Sequence, residues 1–181
     1  MRKDVSANPG IEERMTAGAY RDSLKAAMRR MPGAVSLVTT IDPGNRLPAG
    51  LAASAVIPVS MDPPSMLVSI NKTASACGPI SCSGLFCINL LATDQTDLVA
   101  AFSSKSRRGE RFLSDNWAVQ DNVPYLPDAC AAIFCKVRHE VSYGTHTLFI
   151  GEVYSVLGEN DKSTPLGWIE GGFARLVSLG S

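Results

Sequence analysis

No run of uninterrupted apolar residues approaches the ~20 that a membrane-spanning helix needs, so a helical membrane protein is not expected. Charge of one sign is also missing. Lys+Arg and Asp+Glu both total 17, so no overall field attracts nucleic acid or an anionic membrane. The first twenty residues mix Arg2, Lys3, Asp4, Glu12, Glu13 and Arg14 with no apolar h-region, so no secretory signal is expected. Histidine is scarce, at two residues, and neither GxSxG nor HExxH occurs, which leaves serine and zinc hydrolases without their parts. GxxxxGK[ST] and GxGxxG are absent too, so the nucleoside-triphosphate and Rossmann readings have no motif.

Five cysteines (Cys77, Cys82, Cys87, Cys130, Cys135) are an odd number without a CxxC pair, and His139 and His146 lie seven apart. A disulfide framework or a metal site is therefore not expected. Cys87 and Cys135 sit in apolar runs and read as reduced core thiols. What the chain does have is core material: 45% of its 181 residues are hydrophobic and 19% charged, enough for one ordinary domain and too much for a disordered chain. The composition reads as a soluble, cytoplasmic protein.

Tyr20, Leu24, Ala27, Met28 and Met31 recur at helical spacing, and Pro32-Gly33 stops that helix, which is expected to pack on the domain. Strand-like runs follow at 34–41, 51–59, 65–71, 85–91, 129–143 and 147–157, the last two as a hairpin turning near Tyr143–His146. Asp42-Pro43-Gly44-Asn45 is a turn cluster, and Asp62-Pro63-Pro64 must break a strand because proline cannot donate to a ladder. Only short helical patterns, at 75–82 and 94–102, intervene. Strands without regular crossover helices predict an antiparallel barrel over a doubly wound sheet.

Three features carry chemistry. Phe102 to Phe112 packs Lys105, Arg107, Arg108 and Arg111 with Ser103, Ser104 and Ser106 against one carboxylate, Glu110. Cations and hydroxyls suit a phosphate through charge-assisted hydrogen bonds, and they equally suit a solvated loop. Gly50-Leu51-Ala52-Ala53-Ser54-Ala55 has little side-chain bulk. Such a strand either admits a flat ligand to its backbone or packs tightly under a neighbour. His146, in Gly144-Thr145-His146-Thr147, is either a ligand-orienting imidazole or a solvated loop residue. His139 reads as an exposed strand residue without a role.

The order of these pieces resembles the flavin reductase family. The resemblance runs from Tyr20-Arg21-Asp22 and Met31-Pro32-Gly33-Ala34 through Gly50-Leu51-Ala52-Ala53-Ser54 and Val59-Ser60-Met61-Asp62-Pro63-Pro64. It continues through Asn71-Lys72-Thr73, Ser83-Gly84-Leu85-Phe86-Cys87-Ile88-Asn89, Arg111-Phe112, Gly144–Val153 and Pro165-Leu166. It implies a mainly β fold, the FMN-binding split β-barrel, a Greek-key antiparallel barrel with a few flanking helices, over residues 20–176. Residues 1–19 are then a mobile arm and 177–181 a C-terminal tail. The implied activity is NAD(P)H:flavin oxidoreduction, with FMN, or FAD as the alternative, and NADH or NADPH as hydride donor. The implied partners are a second copy in a homodimer and a separate monooxygenase component.

By the same resemblance, Ala53, Ser54, Ser60 and Met61 would line the flavin. Asn71, Lys72, Thr73, Ser103, Ser104, Lys105 and Arg111 would serve its ribityl-phosphate end, and His146 would stand near the reacting rings. Three departures are visible. Ala52-Ala53-Ser54-Ala55-Val56 stands where members often carry T-A-S-S-F, Thr145 stands where they carry Asp, and Trp168 stands where they carry Tyr. The other readings of the residues are a flavin-binding barrel with a different or no redox substrate, and a thiol-based sensor.

Overall fold

Pro32-Gly33, Asp42–Asn45 and Asp62-Pro63 cut the first half of the chain into short pieces. In the computed structural model, which describes residues 17–158 and 163–178, each cut separates two elements. Helix α1 (Ala17–Met28) gives way to a two-residue strand β1 (Gly33–Ala34), then β2 (Ser36–Ile41) and β3 (Pro48–Ala53). The β2–β3 turn is written in its side chains. Asp42 Oδ1 accepts from the Gly44 amide and Asn45 Oδ1 from the Leu47 amide, both at 2.9 Å. β4 (Val56–Met61) and β5 (Pro64–Asn71) form the next hairpin, turning at Asp62-Pro63. Then come α2 (Cys77–Ser83), β6 (Leu85–Leu90), α3 (Thr96–Ser103), a 3-10 turn (Arg108–Glu110), β7 (Ala118–Gln120) and β8 (Val123–Tyr125). The long hairpin of β9 (Ala131–Tyr143) and β10 (His146–Leu157) follows, then β11 (Leu166–Ile169) and β12 (Gly172–Arg175).

Seven strands form one antiparallel sheet in the order β3-β2-β6-β9-β10-β5-β4. Its two outermost strands, β3 and β4, are consecutive in the chain and joined only by Ser54-Ala55. So short a link cannot cross a flat sheet of seven strands spaced about 4.8 Å apart, so the sheet must roll up. The seam is visible: the Ser69 amide of β5 donates to Ala55 O at 3.0 Å.

Alternation along each strand then sorts side chains inward and outward. Val38, Val68, Ile70, Phe86, Ile88, Cys135 and Phe149 fill the barrel, and Cys77 and Ile80 of α2 join them. Gly151 belongs to this interior, where a Cβ would stand 2.6 Å from Phe86 Cζ and 2.7 Å from Cys135 Cβ. Outward, Leu37 packs under Val99, Ala101 and Phe102 of α3, while Cys87, Ala132 and Phe134 pack with Val123 of β8. Strands β2 and β6 are thus covered on both faces, and nearly every residue of each is buried, the polar Ser36, Thr39, Thr40 and Asn89 included. Asn89, fully buried, satisfies its amide inside this layer: Nδ2 donates to Leu37 O and Thr39 Oγ1, and Oδ1 accepts from the Leu126 amide.

Several expectations need correction. The arm expected over 1–19 lies outside the described residues up to 16, and residues 17–19 open α1. α1 does not pack along its length. Leu24, Met28 and Met31 are 59%, 56% and 68% exposed, and the helix is tied at its end, where Arg29 Nη2 donates to Glu170 O and the Glu170 amide to Arg29 O. The single run 51–59 divides at Ser54-Ala55 into two strands on opposite edges of the sheet. β7, β8, β11 and β12 were not anticipated, because three- and four-residue strands are too short for a period to register. No helix among the described residues is long and apolar enough to cross a membrane.

Candidate functional site

The edge strand β3 carries Gly50, Leu51, Ala52 and Ala53, and the chain leaves it through Ser54. Gly50 gives its room to Phe102, whose ring would stand 2.8 Å from a Cβ there, but the small side chains of Ala52, Ala53 and Ser54 leave a groove along the backbone. One part, of about 160 Å³, is lined by Val35, Ala52, Ala53, Ser54, Val99 and Ser103 and closed by Trp168 and Phe173. These two rings meet edge-to-face at 5.3 Å. The second part, about 340 Å³, shares Ala52 and Ser103 with the first and runs on past Asn71, Thr73 and Ser75 to Lys105, Arg108 and Arg111. The groove therefore has aromatic rings at one end, a bare backbone floor, and cations at the other end.

The cations are not equivalent. Arg111 uses all five of its N–H donors on the protein. Nε donates to Ala101 O, Nη1 to Gly50 O and Ser75 Oγ, and Nη2 to Phe102 O and Ser104 O, at 2.6–3.1 Å. Its guanidinium also lies 5.4 Å from the centre of the Phe102 ring. Three of those carbonyls lie at the C-terminal end of α3, where helix acceptors lack partners. Burial, and secondarily Arg108, hold the Arg111 pKa below its ordinary value. Arg111 is a clamp binding the basic loop to β3, so its expected role as a direct phosphate ligand is corrected: no donor is left over. Arg107 is spent on Glu110, whose carboxyl that hydrogen bond holds below its usual range. Lys105 and Arg108 face the groove with no hydrogen bond or ion pair among the described residues.

Of the other expected residues, Ala53, Ser54, Asn71, Thr73 and Ser103 line the groove. Asn71 Oδ1 accepts from both the amide and the hydroxyl of Thr73 at 2.9 Å, which fixes the turn out of β5. Five do not line it, His146 among them. Ser60 and Met61 pair with Ser65 and Pro64 at the β4–β5 hairpin tip, and Ser60 Oγ is engaged with the backbone of Asp62. Asn71 lies six residue steps along β5 from Ser65, about 20 Å. Lys72 braces the β9–β10 turn instead, its Nζ donating to Gly144 O at 2.8 Å and its amide to Thr145 O at 3.0 Å. Ser104 turns its hydroxyl to Ser106.

His146 opens β10 directly opposite Asn71 in the ladder, so the two side chains stand on one face at the groove's edge. Its Nδ1 is 2.9 Å from Thr145 Oγ1, which leaves Nε2 for a ligand. Sequence reasoning missed Arg108, Ser75 and Phe173 as lining residues. Arg108 stood within the basic run but could not be told from Arg107 and Arg111 before their partners were known. In the sequence Trp168 is visible only as the aromatic that replaces a phenol.

These features define a class: an antiparallel barrel with a groove along one strand, aromatic at one end and cationic at the other. The comparisons with known proteins agree with it. A model of the "flavin reductase like domain" matches residues 28–177. The reductase component of an FADH(2)-dependent resorcinol hydroxylase from Rhizobium sp. (strain MTP-10005) is 41% identical over 134 residues, 74% of this chain and 75% of that protein. An FMN reductase (NADH), RutF, of Pseudomonas syringae pv. syringae (strain B728a) is 40% identical over 139 residues, 76% of this chain and 75% of that protein. The solved structure of flavin reductase PheA2 in its native state superposes with a TM-score of 0.76 at 30% identity, covering 91% of this chain and 100% of its own. The chain belongs to the flavin reductase-like family.

Proposed function

We propose that this protein is an NADH-dependent flavin reductase that reduces FMN, with FAD as the alternative substrate, and releases the product to a separate oxygenase component. One observation carries the reading: a groove over bare backbone, with Trp168 and Phe173 at one end and, at the other, Lys105 and Arg108, which have no side-chain partner among the described residues. A flavin has that polarity, a planar ring system at one end and a phosphate at the other, so the residues fit the group. When bound, it supplies the redox chemistry, accepting at N5 the hydride that leaves nicotinamide C4.

The protein's part is binding and orientation. Ala52, Ala53 and Ser54 admit the ring to backbone amides and carbonyls. Ser103, Lys105 and Arg108 hold the phosphate by charge-assisted hydrogen bonds. Asn71 and His146 form the open edge over which the nicotinamide enters, and Thr145 sets the imidazole's orientation. His146 steers the dinucleotide, and no protein nucleophile is needed. The two barrel thiols play no part. Cys87 and Cys135 are buried, and desolvation pushes the Cys87 thiol well up and the Cys135 thiol up to about 12, the opposite of a sensor's exposed thiolate.

The protein works as a homodimer in this reading. Leu24 and Met28 of α1, with Met31 just beyond it, leave a row of apolar side chains exposed, and Phe173, which closes the groove, is 48% exposed. A second copy that covers α1 would dry that end of the groove. The function is tested by mixing protein, NADH and FMN without oxygen. Loss of the flavin's absorbance band is the expected result. A protein that binds FMN yet never bleaches it would rule out the reductase activity.

A further inference from the structure

Trp168 and Phe173, which close the aromatic end of the groove, stand directly opposite each other on β11 and β12. Their hairpin is firm at its root. Leu166 is 2% exposed, its amide donates to Leu91 O and its carbonyl accepts from the Val35 amide. Toward the tip the support thins. β1 backs β11 over two residues, Gly33 against Trp168 and Ala34 against Gly167, and both rings are more than a third exposed. The turn at the tip is also strained. Glu170 and Gly171 make a two-residue connection with φ of 54° and 84°. Such a turn needs the left-handed region at both positions, which suits Asn-Gly and penalises a glutamate. A strained residue persists where its surroundings over-determine it. Arg29, just past α1, does this here. Its Nη2 donates to Glu170 O at 2.9 Å, and the Glu170 amide donates back to Arg29 O at 2.6 Å. The guanidinium occupies the space that Gly171 leaves, since a Cβ there would stand 2.9 Å from Nη2.

We infer that Arg29 is a positioning residue for flavin reduction: by latching the Glu170-Gly171 turn, it holds Trp168 and Phe173 at the ring end of the groove. The assignment rests on the flavin reading above and adds to it a residue that lines no part of the groove. Arg29 touches neither nucleotide and acts only through the hairpin. Without it, the hairpin swings about its root at Leu166, and the two rings leave the groove together because they face each other across the ladder. The consequence is selective. Rings at the aromatic end meet the planar part of a flavin and not its phosphate, so the latch acts alike on every flavin that carries the ring system. Lys105 and Arg108, at the far end, act only on a phosphorylated one.

The test uses the full-length protein, Arg29→Ala, and Arg29→Ala combined with Glu170→Asn. Amide hydrogen exchange of β11 and β12 is followed without flavin, and FMN and riboflavin affinities are measured by quenching of flavin fluorescence. Arg29→Ala should speed exchange in the hairpin about tenfold or more and leave β9 and β10 unchanged. The urea midpoint should not move, since Arg29 and Glu170 are both exposed. FMN and riboflavin should weaken by the same factor, about three- to tenfold, tenfold being about 1.4 kcal/mol. Adding Glu170→Asn should recover roughly half or more of that loss, because an Asn-Gly pair holds the turn without the latch; a merely structural arginine would show no such rescue. Hairpin exchange that stays at the wild-type rate, faster exchange with unchanged affinities, a loss confined to FMN, or no rescue would overturn the assignment and leave the reductase reading standing. A wild type that quenches neither flavin would remove both.

Discussion

Replacing Arg111 with alanine removes five hydrogen bonds and one cation from a single point between β3, α3 and the Asn71–Ser75 turn. A hydrogen bond to a charged group contributes about 1.5–3 kcal/mol when buried. The site is only partly buried, so water will re-solvate some of the carbonyls of Gly50, Ala101, Phe102 and Ser104. A net loss of about 2–4 kcal/mol is therefore expected, a large share of the ~5–15 kcal/mol that a domain possesses. Urea unfolding with an unchanged m-value measures it. The functional consequence is specific to the phosphate. Once the clamp is gone, Lys105 and Arg108 ride on a loop no longer tied to the groove floor, so FMN affinity should fall about tenfold or more while riboflavin affinity moves little. Arg111→Lys separates charge from geometry. One ammonium cannot reach Ala101 O, Gly50 O and Ser104 O together, so lysine should recover less than half of either loss. Stability within about 0.5 kcal/mol of wild type in Arg111→Ala, or full rescue by lysine, would refute the clamp.

Three further outcomes follow from the same geometry. Lys105→Ala, at an exposed cation without a structural partner, should leave the unfolding midpoint unchanged and weaken FMN more than riboflavin, and equal weakening of both would remove the loop from the phosphate site. Gly151→Ala drives a Cβ to 2.6 Å from Phe86 and 2.7 Å from Cys135 inside the barrel, so a loss of about 1–3 kcal/mol is expected from thermal or urea unfolding. Stability should also fall as pH rises above 9.0, the ordinary thiol value. The unfolded chain ionises Cys87 and Cys135 there, whereas the native barrel keeps them protonated, Cys135 up to about 12. The slope approaches about 1.4 kcal/mol per pH unit for each thiol, and Cys135→Ala should flatten it; an unchanged slope would contradict the burial argument.

The barrel was legible because its long elements carry strong local signals. β9 and β10 are long enough for their pattern to register, the proline turns cut where expected, and Ala52-Ala53-Ser54 announced a place without side-chain bulk. What stayed hidden depends on partners remote in sequence. Arg107, Arg108 and Arg111 look alike as residues; only Glu110, the carbonyls of α3 and Gly50 distinguish a surface pair, a free cation and a clamp. Ser60 and Met61 matched a motif, yet strand register carries them to the hairpin tip away from Asn71. Lys72 looked like another phosphate cation until Gly144 O appeared within its reach. The apolar period of α1 predicted a helix correctly and its burial incorrectly, because a period reveals a face and not what covers it.

The central claim is tested most directly by a crystal structure grown with excess FMN. Density for the ring along Ala52, Ala53 and Ser54, with its phosphate within hydrogen-bond distance of Lys105 or Arg108, is the predicted result. Flavin bound elsewhere on the barrel, or a phosphate facing Trp168 and Phe173 instead, would contradict it.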